Sequence, residues 1–221
     1  MEGYQSVTGM VLSAMPIGEY DRRIVILTKE MGKISAFAKG ARRQGSALAA
    51  GSRPFSFGEF SLVVGRNSYT VRSMQISNYF ENITQNFENT CMGTYFLEFA
   101  EYYTRENNDD TEMLKLLYQS LRALNVKSIK HRLVKTVYEL KSMMISGDYS
   151  DVLPAYISET TRHVLQFILV SSVNKLYTFT VSSEVLKQLE TVSEYFRHSY
   201  IKKEFKSLKV MEDMSNLKGP W

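Results

Sequence analysis

The hydrophobic period of the chain changes once, near Ser77, and that change bounds what the chain can fold into. Before it, apolar and polar residues alternate in short runs; after it, apolar residues recur about every 3.6 positions. The first pattern lines one face of a strand and the second one stripe of a helix. The fold class is therefore α+β with the strands first: a β domain over residues 1–80 and an all-helical domain over 81–221.

Five strands are predicted in the first part. Tyr4–Ala14 alternates until Pro16-Ile17-Gly18 breaks it, and Arg22–Thr28 is β-branched and apolar enough to be covered on both faces. Gly32 then opens a strand with Ile34, Ala36 and Ala38 on one side and Ser35 and Phe37 on the other. Gln44–Pro54, rich in Gly, Ala and Ser, reads as a loop with little to bury. Phe57–Val64 and Tyr69–Ser77 follow, joined by Gly65-Arg66-Asn67-Ser68. Five short strands with glycine-containing turns suit a small closed barrel. The oligonucleotide-binding (OB) fold is the five-stranded example, and an SH3-like barrel fits the same pattern.

In the second part, Phe96, Phe99, Ala100 and Tyr103 share one helical face, which reads as core. Asp109 and Glu112 are spaced as a capping pair for a helix whose buried stripe is Leu114, Leu117, Leu121 and Leu124. Ile129, Leu133, Val137, Leu140 and Met144 mark a third helix, stopped by Gly147. Thr160–Val170, Ser183–Tyr200 and Phe205–Met214 complete the set, with Gly219-Pro220 after them.

Charge separates the halves again. The net charge is +4, but residues 1–80 carry ten Lys/Arg against five Asp/Glu, and the remainder is close to neutral. A basic barrel beside a neutral helical domain implies a polyanion for the first and another task for the second. Its sharpest feature is the turn leaving the third strand: Lys39-Gly40, then Arg42 and Arg43, with Phe37 just behind. Cations at a turn beside an aromatic suit a phosphate backbone with a base stacked next to it.

Catalytic apparatus is missing from the pattern. Asp109-Asp110 and Glu212-Asp213 are the acidic doublets, and His131, His163 and His198 lie far apart on separate predicted helices. There is no phosphate-binding glycine loop, and one cysteine, Cys91, with scattered histidines makes no close ligand pair for zinc. The expectation is a non-enzyme without cofactor or metal. A single cysteine, no secretory pattern at the N-terminus and no apolar run of bilayer length lead us to expect a cytoplasmic protein with no membrane partner.

Several strings resemble the bacterial RecO family of recombination and repair mediators. Gly18–Thr28 is similar to that family's second-strand region, and Gly32–Arg43 to its most recognisable motif. Pro54-Phe55 and Glu59-Phe60 fit the segment that follows, and Phe205-Lys206-Ser207-Leu208-Lys209 is similar to the closing motif. The resemblance implies an N-terminal OB-fold barrel packed against a helical C-terminal domain. It also implies binding of single- and double-stranded DNA and annealing of complementary strands. With RecR and the single-stranded-DNA-binding protein SSB, such a protein loads the RecA recombinase in the bacterial nucleoid. Many members carry a four-cysteine zinc module in the helical domain. Here Gly147–Leu153 matches the approach to it, and Pro154-Ala155-Tyr156-Ile157 then leads almost directly into the next helix, so the module is expected to be deleted.

Within this frame Lys33, Lys39, Arg42, Arg43 and Arg53 are the expected phosphate contacts, Arg22 and Arg23 are second in rank, and Phe37 is the stacking candidate. For the acidic, apolar C-terminal tail of SSB, the helical domain offers Leu117, Leu121 and Leu124 as a groove. Lys127, Lys130 and Arg132 follow, with Arg122 beside them. Two other readings stay open: an RNA-binding OB module of translation or RNA processing, and a scaffold whose basic barrel holds an acidic protein.

Overall fold

Alternation in the first eighty residues produces five strands: β1 (Gly3–Ile17), β2 (Asp21–Thr28), β3 (Gly32–Ala38), β4 (Phe57–Val64) and β5 (Tyr69–Asn78). The structure is a computed structural model, described for residues 3–66, 68–154 and 157–218. Asn67 of the expected turn, Ala155 and Tyr156 of the expected module junction, and Gly219-Pro220 lie outside the described residues.

The strands form a closed barrel in the order β1-β2-β3-β5-β4, the five-stranded OB arrangement. Neighbours are antiparallel except at the closure, where Ala36 faces Tyr69 and Phe37 faces Thr70 in parallel. β1 is shared: Gly3–Met10 pairs with β4 and Gly9–Ile17 with β2, with a bulge between Val11 and Ser13. The strand continues through Pro16, where a break was expected. There β1 has a partner on one side only, and proline is tolerated on such an edge.

Val7, Val11, Ile24, Ile26, Ile34, Ala36, Ala38, Phe60, Leu62 and Val71 fill the barrel. β2 is covered on both faces only at its Ile26–Thr28 end; Arg23 is exposed and Val25 half-buried. The segment after β3 is a train of turns, with bonds from Arg43 N to Gly40 O, Ser46 N to Arg43 O and Ala49 N to Ser46 O. It does bury something: Leu48 packs on the barrel core.

The remaining elements are α1 (Glu81–Thr84), α2 (Phe87–Tyr103), α3 (Thr111–Ala123), α4 (His131–Ile145), α5 (Glu159–Val170), α6 (Ser183–Tyr200) and α7 (Lys206–Lys218). Contacts divide the chain into two compact units that do not follow a single cut: residues 1–81 with 97–114, and 82–96 with 115–221.

In the first unit, the segment after α2 is stitched to the β2–β3 turn. Lys33 N donates to Arg105 O at 3.0 Å and Asn107 N to Met31 O at 2.9 Å, and Gly32 bridges Glu106. Tyr69 Oη donates to Glu106 Oε1 at 2.7 Å. Gly32 has φ +63°, and a Cβ there would lie 2.2 Å from Arg105 O. Burial pushes the Asp110 carboxyl up, against the opposing hydrogen bond from Arg105 N.

In the second unit, Phe96 is fully buried as the aromatic stripe predicted, against Tyr138 with ring centroids 4.3 Å apart. Leu117, Leu121 and Leu124 are also buried core. Glu139 is a carboxylate inside this core. Tyr95 Oη donates to it at 2.5 Å and Ser193 Oγ at 2.6 Å, and Lys135 Nζ lies 3.0 Å away. Burial alone would raise its carboxyl, but Lys135 and the two hydroxyl donors outweigh that and hold it below the usual range. Nothing in the sequence reading singled it out.

Candidate nucleic-acid interface

The tip of the β1–β2 hairpin and the turn after β3 are tied together by backbone. Gly40, at φ +68°, donates its N–H to Asp21 Oδ1 at 2.7 Å, and Arg42 N donates to Tyr20 O at 2.8 Å. Arg42 Nη1 reaches Gly18 O at 3.1 Å, and the Arg43 guanidinium lies over the Tyr20 ring, 5.1 Å from its centroid. The sharp Lys39-Gly40 turn thus delivers both arginines to the hairpin tip. Lys39, Arg42, Arg43 and Arg53 are exposed.

Arg22 has a different position. Its Nη1 donates to Ala49 O and to Ser52 Oγ, both at 2.8 Å, which pins the loop after β3 onto β2. Burial pulls its guanidinium below the ordinary value, and the neighbouring Arg53 and Arg42 pull it further. Arg53 and Arg42 thus both lie within electrostatic reach of Arg22, a concentration of positive charge that favours an anion. Arg23 is exposed on the outer face of β2, with Nε donating to Ser35 Oγ at 2.7 Å. Phe37 stands half-buried on the outer face of β3, opposite Arg23 and Thr70.

Lys33 departs from the expected set. Its ammonium donates to Glu101 O in the last turn of α2, where unpaired helix carbonyls favour a cation. It also stands six residues from Lys39 along β3, about 20 Å at strand rise. Helix capping and distance both take it away from the arginine cluster. Tyr20, in contrast, was missed. An aromatic in a hairpin turn, at 43% exposure, was the available sign.

In the helical unit the structure separates the expected partner site into two parts. Lys127, Lys130 and Arg132 line one concavity of about 450 Å³ together with Glu88, Ile129, His131, Ser183 and Leu186. Leu121, with Leu117 and Leu124, is fully packed inside and offers no surface, because that stripe of α3 faces the core. Arg122 is exposed and does not line the concavity. The apolar floor is supplied by Ile129 and Leu186. Arg132 grips Glu190 through two bonds of 2.7 and 2.5 Å, which raises its guanidinium above the ordinary value. His131 stands between Glu88 Oε1 at 2.6 Å and Leu124 O at 3.1 Å.

Among the described residues no cluster of His, Cys, Asp and Glu is arranged to hold a metal ion, and no helix is long and apolar enough to cross a membrane.

Comparison with known proteins bears on both halves. The family profile described as recombination protein O N terminal matches residues 1–80, and that described as recombination protein O C terminal matches residues 84–153. A DNA repair protein RecO of Alkaliphilus metalliredigens is 38% identical over 63% of this chain, and the match spans only 56% of that protein. The one from Acetivibrio thermocellus is 27% identical over 97% of this chain and 99% of its own length. That of Clostridium perfringens is 24% identical over 92% and 96%. The second profile match ends at residue 153.

Proposed function

The chain belongs to the recombination protein O family and acts in DNA repair and recombination, and from that premise we propose that it is a mediator that binds DNA and makes or breaks no bonds. Its barrel binds single- and double-stranded DNA and brings complementary strands together. Its helical unit receives the acidic tail of SSB, and with RecR it helps to place RecA on SSB-coated strands. No cofactor is needed for any of this, and the site of action is the bacterial cytoplasm, at the nucleoid.

The observation that carries the reading is the hairpin tip, where Arg42 and Arg43 are fixed by the Gly18 and Tyr20 contacts with Arg53 and Lys39 exposed nearby. Fixed cations lose less freedom on binding phosphates than lysines on a mobile loop would. For the partner role, the concavity combines Lys127, Lys130 and Arg132 with Ile129 and Leu186. Those are the two chemistries that an acidic, apolar tail requires.

The test compares single-stranded DNA, duplex and RNA of equal length across a salt series. Each phosphate neutralised on a single strand contributes about 0.7 to the slope of log K against log salt. Arg42→Ala with Arg43→Ala should lower that slope by about 1.4, with similar losses on unrelated sequences. An unchanged slope moves the DNA site off the tip. Binding that requires 2′-hydroxyls turns the reading into an RNA module. No nucleic-acid binding at all leaves the acidic-protein scaffold.

A further inference from the structure

Arg132 is the arginine of the concavity's lining, and one edge of its guanidinium is already engaged. Nε donates to Glu190 Oε1 at 2.7 Å and Nη2 to Glu190 Oε2 at 2.5 Å. The other edge, both N–H of Nη1 and the second of Nη2, is the fork that meets a carboxylate head-on. Glu190 reaches Arg132 from α6. On that helix Ser183, Leu186 and Glu190 share one face at i, i+3 and i+7, and the first two also line the concavity. The Arg132 side chain is 44% exposed and that of Glu190 21%, so the pair contributes little to the stability of the fold. Glu139 in the same unit is the contrast, a carboxylate 1% exposed and enclosed by its donors.

We propose that Glu190 is a positioning residue for the acidic tail: it holds the Arg132 guanidinium so that the free edge is ready for a tail carboxylate. The inference rests on the partner reading above and deepens it. Lys127 and Lys130 carry compact charges on flexible stems and accept an acid in many arrangements, so they supply attraction without register. A loose arginine loses rotamer freedom when it binds, and one fixed beforehand loses less. Glu190 also repels an acidic ligand, but at an exposed, hydrated rim that repulsion is screened. Ordering therefore outweighs repulsion, and removing this acid weakens the binding of an acid.

The test is isothermal titration of the full chain and its variants with an SSB-tail peptide. Glu190→Ala should lose about threefold to tenfold in affinity, the order expected for one side chain no longer ordered in advance. Glu190→Gln, whose carbonyl still accepts from Nε, should show a smaller loss in the same direction. In an Arg132→Lys background there is no fork to align, so adding Glu190→Ala should change affinity by less than about twofold. Glu184→Gln removes an acid from the first turn of the same helix, outside the concavity, and should also stay within about twofold. Unchanged or increased affinity in Glu190→Ala overturns the inference, as does an equal loss in the Arg132→Lys background. Urea unfolding checks that each variant is folded; if Glu190→Ala is not, the loss expected of Glu190→Gln carries the same test. If the unaltered chain does not bind the peptide, the partner reading fails and takes this inference with it.

Discussion

Replacing Gly32 by alanine should destabilise the barrel unit by about 3 kcal/mol, far more than the same change at Gly18. Both glycines hold left-handed φ, +63° and +54°. An L-residue in that region costs about 1 kcal/mol, and Gly18→Ala should cost only that, because nothing lies within 4 Å of the new Cβ. At Gly32 the Cβ would meet Arg105 O at 2.2 Å and Asn108 O at 2.8 Å, and both are backbone atoms that no rotamer change can move. The 105–108 segment must leave. With it go the bonds from Lys33 N to Arg105 O and from Asn107 N to Met31 O, each contributing about 1 kcal/mol net. Urea unfolding of the two variants gives the difference, about 2 kcal/mol. Hydrogen exchange should also speed up at the Lys33 and Asn107 amides in Gly32→Ala alone. Equal losses in the two variants would refute the reasoning, since the stitch between the β2–β3 turn and the 105–108 segment would then contribute nothing.

Three further outcomes are expected. Lys127→Glu with Lys130→Glu should weaken an SSB-tail peptide at least about tenfold, some 1.4 kcal/mol by isothermal titration, while Arg122→Glu, outside the concavity, changes it little. Because Glu139 has a lowered native value, its stabilisation is fully present above the ordinary glutamate value of 4.5 and is lost as pH falls through the native value. Glu139→Gln should therefore lower stability at neutral pH and flatten the acid limb of a stability-against-pH curve, and a parallel acid limb would show that the carboxylate is not responsible. Elemental analysis of the purified chain should find no stoichiometric zinc, and one zinc per chain would show that the module junction was misread.

Strands and helices were readable because each needs only its own period, and the core of the barrel is the set that alternation in β2 and β3 selects. Arg42 and Arg43 were readable because a glycine turn after a strand fixes where the next residues go. Periodicity could not tell whether the leucines of α3 face a groove or the interior, since both demand the same spacing; burial decides it against Leu121. The internal partners of Lys33 and Arg22 were out of reach of the sequence for a related reason. A cation in a basic stretch looks the same whether it meets solvent or an internal carbonyl, and their partners, Glu101 and Ala49, lie 68 and 27 residues away. Glu139 left no sign either, because a single acid on an apolar stripe carries no record of the three donors that other segments bring to it.

The unit that holds the barrel is discontinuous along the chain, comprising residues 1–81 and 97–114. A fragment ending at residue 80 would keep every strand yet leave Lys33 N and Met31 O without their backbone partners and Tyr69 without Glu106. The barrel is therefore not a cassette that can be excised or grafted by one cut. Any transplant of the barrel must carry 97–114 along, and with it the intervening residues 82–96 that belong to the other unit. Such interlacing means that neither unit corresponds to one continuous stretch of the chain.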